Sequence, residues 1–128
     1  MVKSVDWSGI LKRRIFQAGN NSLEGLKACF EHEEAFRVEV FLGAIFLVIA
    51  TCISDSMAEW AILVAAMVQV LIVELLNSAV EATVDRIGEE YHDLAKRAKD
   101  IGSAAVLLSM MLFLVVWGAV ICSKLYHL

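Results

Sequence analysis

A run of 23 residues, Ile101 to Ser123, contains no charged side chain. A helix needs about 20 residues to cross a bilayer, so this run reaches spanning length on its own. Two further apolar segments share the pattern. One covers residues 35–54 and is free of charge from Val40 to Ser54. The other covers residues 58–84; it is uncharged from Trp60 to Val73, and its helical pattern continues to Val84. Each of these two spans only by accepting charge at one end. The composition agrees: 59% of residues are hydrophobic and mean hydropathy is +0.70. Soluble domains carry about 45–50% apolar residues. A soluble chain of 128 residues has too little interior for that much apolar surface. The whole length, residues 1–128, reads as a single membrane domain.

Lysine and arginine placement predicts the topology. Lys3, Lys12, Arg13, Arg14, Lys27 and Arg37 precede the first span. Arg86, Lys96, Arg97 and Lys99 lie between the second and third. The 55–59 loop carries Asp55 and Glu59 and no basic residue. The positive-inside rule therefore places the N-terminus and the 85–100 segment in the cytoplasm. Lys124 is a single vote against.

The flanking segments read as surface helices. Trp7, Ile10, Leu11, Ile15 and Ala18 fall at helical spacing beside Lys12, Arg13 and Arg14. That is the signature of an interfacial amphipathic helix. The surface region is expected over residues 5–34, broken at Gly19-Asn20-Asn21-Ser22. Asn21 followed by Glu24 marks a helix restart. Residues 89–99, with Tyr91, Leu94, Ala95 and Ala98 on one side, predict a second short interfacial helix entered through Gly88. The expected fold is an all-α membrane protein: three transmembrane helices plus N-terminal amphipathic surface helices.

Several functions are disfavoured. A net charge of −4 lacks the basic face that nucleic acid requires. Cys29, Cys52 and Cys122 are scattered with no C-x-x-C spacing, and read as packing residues. The first thirty residues show no cleavable signal-peptide pattern. No G-x-x-x-x-G-K-[ST], G-x-G-x-x-G or H-R-D motif is present, which excludes the known soluble kinase folds. HEEAF, at residues 32–36, shares only two positions with the H-E-x-x-H zinc motif.

The chemistry lies at the charged end of the second span, where residues 74–85 read ELLNSAVEATVD. At 100° per residue, with Glu74 at 0°, Asn77 falls near −60°, Ser78 near 40°, Glu81 near −20° and Asp85 near 20°, an arc of roughly 100°. The stripe is about 16 Å long at 1.5 Å per residue. An ionisable side chain at mid-span costs roughly 2.5–3.5 kcal/mol on insertion scales. Polar residues can serve as helix glue, but an amide or serine does that more cheaply than a carboxylate. A functional site is the stronger reading. The segment His32 to Glu39 and the pair Lys99-Asp100 should lie at the same level. Glu33 and Arg37 alternatively form an ordinary helix-end pair. Carboxylates suit Mg²⁺, a lysine suits phosphate, and a carboxylate in low dielectric suits proton abstraction from an alcohol. An ion- or proton-conducting subunit is an alternative, because carboxylates inside a membrane also mark ion paths.

The residues carry a resemblance as well. Val73 to Val106 reads VELLNSAVEATVDRIGEEYHDLAKRAKDIGSAAV. This resembles the prokaryotic diacylglycerol kinases, small three-span membrane enzymes, through E-x-x-N-[ST]-x-x-E-x-x-x-D, the E-Y-H turn and the AKDIGSAAV entry to span three. EAFRVE at Glu34 to Glu39, preceded by Glu33, matches too. The resemblance extends from about Arg14 to the end of span three. It implies ATP- and Mg²⁺-dependent phosphorylation of a membrane lipid alcohol in the bacterial inner membrane. It also implies a homotrimeric helical bundle with sites shared between subunits. By motif, Glu74 is the implied general base and Asn77 a catalytic positioning residue. Glu33 and Glu81 are the implied Mg²⁺ ligands. Nucleotide contacts fall on Arg14, Asn21, Glu33, Glu81, Glu90, Tyr91, His92, Lys99 and Asp100. Lipid-side or supporting positions are Arg14, Ala35, Phe36, Arg37, Val38, Glu39, Trp60, Glu74 and Ser103. The chain departs from the pattern at Asn21, where relatives carry tyrosine, and at Leu23 and Phe30, where they often carry tryptophan. One branch of the family phosphorylates diacylglycerol and another undecaprenol. The stretch VDRIGEEYH is more similar to the diacylglycerol branch.

Overall fold

The structure, a computed structural model, describes residues 7–88 and 90–126. Val5, Asp6 and Glu89, at the edges of the expected surface helices, lie outside the described residues, as does Lys3. Four helices follow one another: α1 (Trp7–His32), α2 (Glu34–Ile53), α3 (Met57–Ile87) and α4 (Asp93–Tyr126). The last three are each long and apolar enough to cross a membrane. No strand occurs among the described residues.

Two expected helix boundaries are absent. α1 runs unbroken through Gly19-Asn20-Asn21-Ser22. The polar side chains there bond along the helix instead of ending it. Asn20 Nδ2 donates to Glu24 Oε1 at 2.9 Å, and Ser22 Oγ donates to the Ala18 carbonyl at 2.8 Å. A mid-helix glycine costs only about 1 kcal/mol, so the helix passes through it. Residues 93–99 of the expected separate helix are instead the first turns of α4, continuous with the third span, and residues 90–92 lie in the turn before it. No proline or turn residue stands between Lys99 and Ile101 to interrupt it.

α1 has no buried residue. Trp7, Leu11 and Ile15, one turn apart, are all exposed, which is the apolar face an interfacial helix offers to lipid. The chain redirects at Glu33, whose φ of −105° and ψ of 116° are extended. Arg37 secures this corner. Its Nη1 donates to the Phe30 and Glu31 carbonyls, both at 3.1 Å. A guanidinium on the last carbonyls of a helix satisfies orphan acceptors and complements the negative dipole end.

At the opposite end, Ser56 caps α3, accepting from the Glu59 amide at 3.2 Å. Glu59 Oε2 accepts in turn from the Asp55 amide at 2.7 Å. Lys124, near the end of α4, joins both acids: its Nζ donates to Asp55 Oδ2 at 2.5 Å and Glu59 Oε2 at 2.8 Å. The one basic residue that argued against the topology is thus neutralised twice over. Lys124→Met is expected to lower the midpoint of thermal unfolding in detergent, because two neighbouring carboxylates lose their shared cation. An unchanged midpoint would remove the clasp from the stability of the bundle.

The apolar core sits in that same half. Ala50, Leu63, Ala66 and Trp117 are buried together. The rings of Phe46 and Trp117 approach to 4.8 Å edge-to-face, and Phe46 and Phe113 to 5.0 Å. Trp117 Nε1 donates to the Leu63 carbonyl at 3.2 Å, giving the buried indole the partner it requires. α3 packs most extensively on α4 and less on α2. One end of the bundle is therefore held by aromatic packing. The other end carries the polar stripe of α3.

Candidate active site

Glu74, Asn77, Ser78, Glu81 and Asp85 project from α3 on one face, as helix arithmetic requires. The structure adds what each of them meets. Glu74 is the most enclosed, only 6% exposed within a single chain. Asn77 faces α4 and is half-buried; its Nδ2 donates to Glu81 Oε1 at 3.1 Å. Ser78 turns to α1, where Cys29 Sγ donates to its Oγ at 3.6 Å. Asp85 Oδ1 holds Lys99 Nζ of α4 at 2.6 Å.

The Cys29 thiol shows how closely the acids gather. Burial pushes its pKa up; the Ser78 hydrogen bond opposes this, and the charges of Glu33, Glu74 and Glu39 push it further up. A thiol held in that state is a poor nucleophile, in agreement with the packing role assigned to it. Glu33 sits half-buried at the α1–α2 corner, and Glu39 lies half-buried on α2. Three separate elements thus bring Glu33, Glu39 and Glu74 within electrostatic reach of one atom. Glu39 also borders a cavity of about 260 Å³ between the three spans, lined by Gly43, Met67, Val70 and Met110 among others. Its Oε2 is buried without a hydrogen-bond partner.

Other expected site residues are dispersed. Phe36 is buried, whereas Ala35, Val38 and Ser103 are exposed. Arg14 and Asn21 are exposed on α1. Glu90, Tyr91 and His92 occupy the α3–α4 turn, where His92 Nδ1 accepts from the Leu94 amide at 3.1 Å. Asp100 pairs with Lys96 at 2.5 Å on the exposed side of α4. Trp60 stands apart. It lies in the first turn of α3, about 21 Å along the axis from Glu74, with its Nε1 donating to Thr51 Oγ1 at 3.2 Å. Sequence reasoning missed the Asp85–Lys99 tie. Its signal was a basic residue following the turn and an acid preceding it on adjacent antiparallel helices.

The donor set fits Mg²⁺. No group of three or more His, Cys, Asp or Glu in ligand geometry occurs among the described residues. Mg²⁺ does not need one: it keeps several waters and takes one or two carboxylates plus substrate phosphates. Glu81 offers a second oxygen beyond the one Asn77 engages.

A profile described as prokaryotic diacylglycerol kinase matches residues 20–121. The chain belongs to that family. It is 44% identical over 104 residues to the diacylglycerol kinase of Escherichia coli strain K12, covering 81% of this chain and 85% of that one. It is 43% identical over 100 residues to the diacylglycerol kinase of Haemophilus influenzae, covering 78% and 85%. For the diacylglycerol kinase of Pseudomonas aeruginosa the figures are 43% over 109 residues, covering 85% and 89%. The resemblance read from the α3 stripe and the α4 entry thus extends over most of the chain. The E-x-x-N and E-x-x-x-D spacings of the resemblance fall on the one-sided stripe of α3.

Proposed function

We propose that the protein transfers the γ-phosphoryl group of ATP to the hydroxyl of diacylglycerol, forming phosphatidic acid at the cytoplasmic face of a bacterial inner membrane. Family membership makes the chain an ATP-dependent lipid kinase. The observation that carries the finer reading is the graded burial of the α3 stripe. Glu74 is enclosed among apolar spans, Glu81 is half-buried, and Asp85 is exposed. Glu74 and Glu81 are about 10 Å apart along the helix. That separation suits a lipid hydroxyl at one end and a triphosphate at the other.

Glu74 takes the proton of the lipid hydroxyl as the hydroxyl oxygen attacks the γ-phosphorus in line, and the bond from the γ-phosphorus to the β–γ bridging oxygen breaks to release ADP. Glu81 and Glu33 are the residues that would hold Mg²⁺. The bound ion supplies charge neutralisation for the β- and γ-phosphates. Lys99 exchanges part of its contact with Asp85 for phosphate oxygen. Glu90, Tyr91 and His92 line the exposed turn over which the nucleotide lies, together with Arg14, Asn21 and Asp100. The EAFRVE segment supports the lipid side, with Arg37 acting through the α1–α2 corner it holds. The assembly is a homotrimer, for which the broad apolar surface of α2 and α4 leaves room. Exposed Leu107, Leu108, Leu114 and Val115 form part of it. The family match favours this kinase reading over an ion-conducting subunit.

Purified protein given γ-labelled ATP and Mg²⁺ should label diacylglycerol in preference to undecaprenol, read by thin-layer chromatography. Phosphoryl undecaprenol as the dominant product would overturn the substrate assignment. Transfer to neither lipid would overturn the kinase mechanism.

A further inference from the structure

Gly102 is where α4 comes closest to the α3 stripe. A Cβ built on it would overlap Asn77 Oδ1, and would lie 3.3 Å from Asn77 Cγ and 3.9 Å from Asn77 Cα. Five other glycines differ. A Cβ on Gly43 would make ordinary contact with Met67 Sδ at 3.4 Å, and Gly19, Gly25, Gly88 and Gly118 have nothing within 4 Å. The space a side chain would take at position 102 is thus filled by the Asn77 carboxamide.

That carboxamide has a divided environment. Its Nδ2 donates to Glu81 Oε1 at 3.1 Å. Its Oδ1 is buried and accepts no hydrogen bond from any N–H or O–H. One Cα–H bond of Gly102 points at it, the weak donor expected where backbones approach closely. We propose that Gly102 is a positioning residue for the nucleotide end of the site: its missing side chain seats Asn77, and Asn77 fixes the carboxylate of Glu81.

The arrangement brackets Glu81 along α3. Four residues to one side, Asn77 is pressed onto Gly102. Four residues to the other side, Asp85 holds Lys99, three residues before Gly102 on α4, at 2.6 Å. The α3–α4 spacing is therefore set on both flanks of Glu81. A methyl group at 102 must push the Asn77 amide away or separate the helices, and either movement withdraws the Nδ2–Oε1 bond. Glu74, a turn deeper, is not touched by that contact. The effect should therefore fall on the nucleotide and not on the lipid.

The reading rests on the proposed kinase activity for its kinetic arm only. Gly102→Ala, Asn77→Ala and the double variant are compared by thermal unfolding in detergent and, for the active variants, by KM for Mg-ATP and for diacylglycerol. Gly102→Ala should raise the KM for Mg-ATP by about tenfold, the scale on which groups supporting a metal site act, while the KM for diacylglycerol stays within about twofold. In the Asn77→Ala background the same methyl enters vacated space and should leave the unfolding midpoint unchanged, a non-additivity that marks direct coupling. An equal rise in both KM values, or additive losses in midpoint, would overturn the proposal. If Gly102→Ala fails to fold, a folded double variant supports the seat and an unfolded one overturns it. A wild-type protein with no kinase activity would sink the kinetic reading, while the midpoint cycle would still test the seat itself.

Discussion

Glu74→Gln should insert, fold and lose lipid phosphorylation by about 10²–10⁴-fold, the range over which a positioned general base contributes. Glutamine matches glutamate in shape and fills the same enclosed space, so the substitution removes proton acceptance with little change in packing. It also removes an ionisable group from an enclosed, largely apolar position, where burying a charge is costly. The unfolding midpoint should therefore stay at least as high as in the unaltered protein. Initial rates and thermal unfolding of the same preparation separate the outcomes. Near-normal turnover would remove Glu74 from the chemistry. A rate loss accompanied by a lower midpoint would assign it to structure.

Glu81→Gln should have the second largest effect, on metal requirement. The glutamine carbonyl can still accept from Asn77 Nδ2, so the hydrogen bond that orients the side chain at 3.1 Å survives. What disappears is the charge a hard cation prefers. The Mg²⁺ concentration giving half-maximal rate should rise by at least about tenfold, with the KM for diacylglycerol little altered. An unchanged Mg²⁺ dependence would exclude Glu81 as a ligand. On the proposed mechanism the two variants distinguish the ends of the stripe: loss at the deep residue should fall on the chemical step and loss at the shallow one on nucleotide loading.

Much of this was legible in the chain. Uncharged length gave the spans, since a bilayer rewards apolar residues one by one and asks little of their partners. The one-sided stripe followed from a fixed 100° turn per residue. Local punctuation was less legible. Gly19-Asn20-Asn21-Ser22 has the composition of a helix stop, yet Asn20 and Ser22 bond within α1. Short polar side chains can end a helix or sit within one, and their neighbours decide which.

The feature that most constrains the protein, apolar length interrupted by carboxylates, was determined by sequence alone. It required a membrane, three helices and one polar face near the Asp85 end. Only the tertiary structure decided which helix each member of that face meets: Asn77 against Gly102, Ser78 against Cys29, Asp85 against Lys99. It also closed Glu74 within a single chain. Periodicity fixes the direction of a side chain around its own axis. What stands opposite depends on helix spacing and rotation, which are set by packing between residues far apart in the chain.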